Sequence, residues 1–193
     1  LAIRQSRSSS EAYADFVTEM VRASITEKYG EDAYTRGLDV YTTIRASEQQ
    51  AAYAALRKGL LAYENQQAYR GPEKNINLPQ DPQAQANAID ELLDTAHDHG
   101  DLLAAVVTKV SKNQVTAVIQ NGQVIQVSGK GLDAVKTALT KGVPQAQRIQ
   151  QGSLIRVLEK SDGNWQITQT PGVEGALVSM DPRTGQVRAL AGG

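Results

Sequence analysis

Five short runs rich in β-branched residues lie between Leu102 and Thr170, interrupted once by a helical pattern, and they constrain this chain more than anything else in it. LLAAVVTKV (102–110), QVTAVIQ (114–120) and QVIQVS (123–128) come first, each set off by turn-forming residues as strands are. Asn121-Gly122 separates the second run from the third, and a type I′ hairpin turn needs the tolerance of positive φ that this pair offers at both positions. GLDAVKTALTKG (131–142) then changes period: Leu132, Val135 and Leu139 fall on one helical face, with Gly142 beyond them as a stop. LIRVLEK (154–160) and WQITQT (165–170) return to the strand pattern across a turn containing Asp162-Gly163.

The order strand-strand-strand-helix-strand-strand is that of an OB-fold, a five-stranded Greek-key barrel. A small SH3-like barrel is the nearest competitor, but it needs no helix at that place.

The flanks read differently. In 8–30, Ser8 and Glu11 have capping-box spacing, and Tyr13, Phe16, Val17, Met20 and Val21 form one apolar helical face stopped at Gly30. GLDVYTTI (37–44) alternates as a strand. The stretch 47–70 is helical, with Ser47 and Gln50 at cap spacing and Tyr53, Leu56, Leu60 and Tyr63 on one face. Three prolines among Gln, Asn and Asp make 70–88 a mobile connector, and 89–99 a short helix ended by Gly100. Residues 171–193 form a hairpin whose turn is built by Asp181-Pro182 and Thr184-Gly185. That hairpin is expected to pair with the strand at 38–44, with the second helix over one face. The expected class is therefore α+β, mostly β. An OB-like five-stranded barrel with one helix (101–170) is inserted into a partial host domain made of 1–70 and 171–193, behind a connector at 71–100.

Composition excludes several functions. There is no cysteine, hence no disulfide, thiolate metal site or cysteine nucleophile. The net charge is −1, with 20 basic and 21 acidic residues spread along the chain, so the basic stripe of a nucleic-acid binder is not visible. No apolar run approaches the ~20 residues of a membrane-spanning helix, and no signal peptide is evident.

The chemistry-bearing motifs are sparse. The serine-acylation set requires S-x-x-K, and the sequence contains none. Ser111-Lys112-Asn113 and Arg183-Thr184-Gly185 match its two partner motifs loosely, but both fall in expected turns. His97 and His99, with Asp94, Asp98 and Asp101, raise the question of a metal. Histidines two apart on a helix diverge, so a solvated helix end is the plainer reading. The seven tyrosines cluster in the first 70 residues and suit packing. The mixed charges of 11–31 suit a solvated helix face. No catalytic residue, metal site or cofactor site is assigned.

Some of these residues carry a family resemblance. GLDVYTTIRASEQQAAYAALRKGL (37–60) followed by AYRGPE (68–73) resembles the start of the transpeptidase region of class A penicillin-binding proteins. AVVTKVSKNQVTAVI (105–119) resembles the OB-like domain inserted in their 1A group, and GALVSMDPRTGQVRALAGG (175–193) resembles the strands that re-enter the transpeptidase. The resemblance implies a parent anchored in the bacterial inner membrane and facing the periplasm. It would polymerise glycan strands from lipid II and cross-link their peptides through a serine that β-lactams acylate. It also implies that this chain, which starts at Leu1 and ends before the family's Ser-x-x-Lys, is a piece cut from that enzyme and carries neither activity.

Three functions follow as expectations. The first is a non-catalytic accessory region that spaces and docks: its partners would be the parent's own transpeptidase and glycosyltransferase domains, an outer-membrane lipoprotein activator or other cell-wall proteins. The second is an OB module that grips peptidoglycan through the face expected to hold Lys112, Thr116, Gln120, Gln123 and Gln126, with Trp165 as a core or rim residue available for stacking. The third, a single-strand nucleic-acid binder, rests on fold analogy alone. Neither nucleic acid nor membrane contact is expected of this region.

Overall fold

A computed structural model of the chain describes residues 15–140 and 142–192. In chain order its helices are α1 (Asp15–Tyr29), α2 (Asp32–Thr35), α3 (Ala46–Glu64) and α4 (Pro82–Thr95). Its strands are β1 (Lys74–Asn75), β2 (Leu102–Val110), β3 (Gln114–Ile119), β4 (Val124–Ser128), β5 (Ser153–Glu159), β6 (Trp165–Thr168), β7 (Ala176–Met180) and β8 (Val187–Gly192). They form two compact units, one drawn from Leu1–Tyr63 and Pro171–Gly193, the other from Glu64–Thr170.

The second unit is an antiparallel sheet in the order β1-β5-β2-β3-β4, with β6 also on β5. Asn121 and Gly122 both take positive φ, 71° and 70°, so the β3–β4 hairpin closes on the turn its sequence demands. A bulge in β2 between Val107 and Lys109 keeps the alternation in register with β3. Both β1 and β6 lie along the edge of β5 that β2 leaves free.

Alternation then sorts the side chains. Ala105 and Val107 of β2, Val115 and Ala117 of β3, Ile125 and Val127 of β4, and Ile155 and Val157 of β5 share the inner core with Ile167. The opposite parity, Ala104, Val106 and Leu154, is buried instead under Ile89, Leu92 and Leu93 of α4. Asp81 caps α4 by accepting the Ala84 N–H at 2.8 Å, and Pro82 sits where its missing N–H costs nothing. The stretch expected as a mobile connector thus carries β1 and α4, and the helix expected at 89–99 starts seven residues earlier and ends at Thr95. Proline at the first helical position starts a helix rather than breaking it, and its local sequence signal is the same as that of a connector.

Two further expectations are corrected in this unit. The segment expected as an α-helix at 131–142 winds as 3₁₀ turns, Gly129–Val135 and Thr137–Leu139; Lys141 lies outside the described residues. Three residues per turn align Leu132, Val135 and Ala138, and all three are buried, whereas Leu139 of the expected α face is only partly so. The expected five-stranded barrel is not closed, since no ladder joins β4 to β6 among the described residues. The 3₁₀ segment fills that gap: a Cβ on Gly131 would lie 2.1 Å from the Trp165 carbonyl oxygen and 2.8 Å from Val127 Cγ1.

In the first unit, β7 and β8 form the expected hairpin. The Asp181 carboxylate organises its turn by accepting N–H bonds from Arg183 (2.9 Å) and Thr184 (3.3 Å) and a bond from Arg188 (3.2 Å). Ala189 and Ala191 of β8 are buried against Ala52, Tyr53 and Leu56 of α3. The expected strand at 37–44 does not form. Among the described residues, the hydrogen bonds from this segment to β8 are Thr43 Oγ1 to the Val187 carbonyl (2.6 Å) and, just beyond it, Arg45 N–H to the Arg188 carbonyl (2.9 Å). The rest of that edge is occupied by Gln49, whose side-chain amide donates to the Leu190 carbonyl and accepts from its N–H, both at 2.8 Å. A second strand has no ladder left to make, and Tyr41 is 92% exposed. The expected Ser47 cap is also absent. Ser47 lies inside α3, whose Gln49 N–H already bonds the Arg45 carbonyl at 2.8 Å. The expected first helix is described from Asp15, so its Ser8–Glu11 cap and Tyr13 lie outside the described residues. Gly30 ends α1 at φ 59° as expected, but Phe16 and Met20 of the expected core face stay about half exposed.

Candidate functional site

The candidate face belongs to β3 and β4. Their register sets Thr116 opposite Gln126 and Gln114 opposite Ser128. These residues share the parity of Val118, which packs toward α4, so the polar row lies on the α4 side of the sheet. Gln114 Nε2 donates to Gln126 Oε1 at 2.7 Å, a cross-strand amide pair. Lys112 stands in the β2–β3 turn, which is fixed by the Ser111 N–H and hydroxyl on the Gln114 carbonyl at 2.8 and 3.1 Å. Gln120 and Gln123 flank the hairpin turn at the other end of the strands, roughly 20 Å from Lys112 by strand rise.

The six predicted residues therefore do not form one site. Thr116 and Gln126 are neighbours, with Lys112 beyond one end and Gln120 and Gln123 beyond the other. Trp165 is on the opposite face: it opens β6 opposite Glu159 and packs against the inner core. Two exposed residues join the row that the sequence reading missed. Gln114 bonds Gln126, and Lys109 stands opposite Thr116 across the bulge. Strict alternation puts Lys109 on the inner face, and only the bulge returns it to the outer one.

The same unit holds a second polar assembly. A shallow, open hollow is lined by Glu64, Tyr69, Thr168 and Gln169 among others. Several of its polar groups bond one another. The buried Glu64 carboxylate accepts from Arg70 at 2.5 Å and Gln169 at 2.6 Å, while Arg70 also reaches the Thr170 carbonyl at 2.5 Å. Burial, with the nearby Glu73 charge, pushes the Tyr69 phenol well above its ordinary pKa. The assembly clasps the two ends of the unit together rather than opening a binding site.

Beside it, Arg156 is 5% exposed and grips both Glu73 oxygens at 2.8 Å, donating its remaining nitrogen to the His97 carbonyl. Partial burial raises the Glu73 pKa, but the hydrogen bonds and charge of Arg156, with the Thr170 hydroxyl, outweigh it and hold the carboxyl below its usual range.

The loose catalytic motifs are structural. Ser111-Lys112-Asn113 is the β2–β3 turn, and Arg183-Thr184-Gly185 is the turn held by Asp181. Near His97 and His99, Asp98 is committed to the Ala104 N–H at 2.7 Å. Among the described residues, no helix is long and apolar enough to cross a membrane.

Comparison with known proteins agrees with this architecture. The family described as penicillin-binding protein OB-like domain matches residues 69–173. Penicillin-binding protein 1A of Neisseria lactamica is 40% identical over 179 residues, covering 92% of this chain and 22% of that protein. The Pseudomonas aeruginosa protein of the same name is 33% identical over 189 residues, 95% of this chain and 22% of its own length. The 2.6 Å crystal structure of penicillin-binding protein 1A from Haemophilus influenzae superposes with a TM-score of 0.76 at 26% identity, over 92% of this chain and 25% of that one. This chain thus spans about a fifth of the length of the curated relatives it matches. An OB-like unit set between two parts of a second unit, matched in sequence over more than half the chain and in fold over most of it, leads to one conclusion: the chain belongs to the penicillin-binding proteins that carry this OB-like domain, and it is similar to their 1A group.

Proposed function

We propose that this chain is a non-catalytic accessory region of a bifunctional peptidoglycan synthase on the periplasmic face of the bacterial inner membrane. Its parent would polymerise glycan strands and cross-link their peptides through a penicillin-acylated serine. The observation that carries this reading is similarity to penicillin-binding protein 1A along 92% of a chain that spans 22% of that relative and contains no S-x-x-K sequence. The OB-like unit acts as a spacer and as a docking module for another cell-wall protein. Support comes from the clasp at its ends. Glu64, Arg70 and Gln169 tie the beginning of the unit to its close, so a unit inserted in the sequence between two stretches of the other holds together as one body. Deleting 64–170 from the parent is expected to abolish capture of that protein while penicillin labelling persists. Unchanged partner capture and unchanged synthesis after the deletion would reject the docking role.

A second reading, that the unit grips the glycan–peptide polymer itself, is favoured by the cross-strand amides Gln114 and Gln126 beside Thr116. A single-strand nucleic-acid role finds no aromatic on that face.

A further inference from the structure

Charge in the OB-like unit is divided by segment, which the near-zero net charge of the chain conceals. Residues 81–101, α4 and the loop behind it, carry six carboxylates (Asp81, Asp90, Glu91, Asp94, Asp98 and Asp101) and no lysine or arginine. Residues 102–132, which hold β2, β3, β4 and the tight turns after them, carry no carboxylate and three lysines, Lys109, Lys112 and Lys130.

The register gathers these lysines at one end of the sheet. Lys109 stands near the end of β2, opposite Thr116. Lys112 is in the turn that follows. Gln114, directly after that turn, pairs with Ser128, two residues before Lys130. All three lysines are exposed, and none makes an ion pair among the described residues. In the turns beyond, Asp133 is already taken by Lys136 at 2.8 Å. Between the lysines lie the amides and hydroxyl of Gln114, Gln126 and Thr116.

We infer that this end of the sheet binds a carboxylate-bearing glycan–peptide polymer, the nascent peptidoglycan. The inference rests on reading the parent as a peptidoglycan synthase. Three features select that occupant. The three strands and their turns carry lysines and no carboxylate, the acidic residues on this side of the sheet belonging to α4, so this end of the strands complements dispersed negative charge. Its cations are lysines, hydrated point charges on long flexible stems, which suit scattered carboxylates better than the bidentate phosphate that arginine matches. Its remaining groups are amides and a hydroxyl, which exchange hydrogen bonds with sugar hydroxyls and acetamido groups, and Trp165 is on the far side, so no platform for base stacking is present. The lysines engage peptide carboxylates while the amide row lies along the sugars.

The test is co-sedimentation of the chain with purified insoluble peptidoglycan, with three companions. These are a Lys109→Gln/Lys112→Gln/Lys130→Gln variant, a Lys58→Gln control on an exposed lysine of α3, and peptidoglycan whose carboxylates have been converted to neutral amides. The expected result is binding that weakens as salt is raised, falls about tenfold in the triple variant, falls similarly on amidated peptidoglycan, and is unchanged in the control. The substituted lysines are exposed, so an unchanged melting temperature should confirm that the variant is folded. Absence of binding, binding indifferent to salt, or equal binding by the triple variant overturns the inference. So does preference for single-stranded DNA over peptidoglycan. If the chain fails to sediment while the parent still takes a penicillin label, this surface is refuted and the synthase reading stands.

Discussion

Gly131 shows how one residue can decide how a sheet ends. It sits where a methyl group would overlap the Trp165 carbonyl oxygen. Gly131→Ala is expected to destabilise the OB-like unit by about 3 kcal/mol, read as a lower urea midpoint, because backbone cannot yield as a flexible side chain would. The Arg156–Glu73 pair is asymmetric in burial, and so are its variants. Glu73→Ala strands a charge that is 5% exposed and should cost about 2 kcal/mol, less than a fully buried pair because Glu73 itself keeps contact with water. Arg156→Met removes the buried charge and leaves a carboxylate that water can reach, so it should cost less. The pH dependence follows. The folded-state pKa of Glu73 is depressed, so its stabilisation is present above the ordinary glutamate value of about 4.3 and is lost as pH falls through the lower folded value. Acid titration of thermal stability should show that loss in the wild type and a flatter profile in Arg156→Met. A wild type no more acid-sensitive than the variant would contradict the assignment.

At the scale of elements, the strands were legible because they announce themselves twice, through alternation and through turn chemistry. The positive φ of Asn121 and the Asp181 turn stand where the sequence requires them. The 3₁₀ segment was not legible, since Leu132 and Val135 fit three residues per turn as well as 3.6. Only the burial of Ala138 in preference to Leu139 separates the two, and that is decided by tertiary packing in the inner core. The strand expected at 37–44 had the right composition but no free edge, because Gln49 already occupies it from α3. A glutamine that imitates a strand leaves no local signal. Gln49→Ala should leave the Leu190 N–H and carbonyl unpaired at a cost of about 1–2 kcal/mol in the unit that holds β7 and β8. Faster hydrogen exchange at the Leu190 amide would be the direct reading, and unaltered exchange would remove the edge-capping role. The candidate face was legible only in its middle, at Thr116 and Gln126. The bulge that turns Lys109 outward breaks the period on which a sequence reading of faces depends.

For the whole molecule, order along the chain matters more than composition. The net charge of −1 describes neither α4 and its loop, which are acidic, nor the strands after them, which are basic, and only division by element reveals the surface proposed here. The OB-like unit is continuous in sequence and clasped at its ends, while the other unit is assembled from two separated stretches. This arrangement, with similarity to penicillin-binding protein 1A across most of the chain, supports the proposed reading of an accessory region in a larger synthase. The decisive measurement is covalent labelling with a fluorescent penicillin, applied in parallel to this chain and to the full-length parent proposed for it. Label is expected on the full-length protein and none on the chain. Label on the chain itself would reveal a nucleophile within these residues and contradict the non-catalytic role, and an unlabelled full-length protein would break the link to peptide cross-linking.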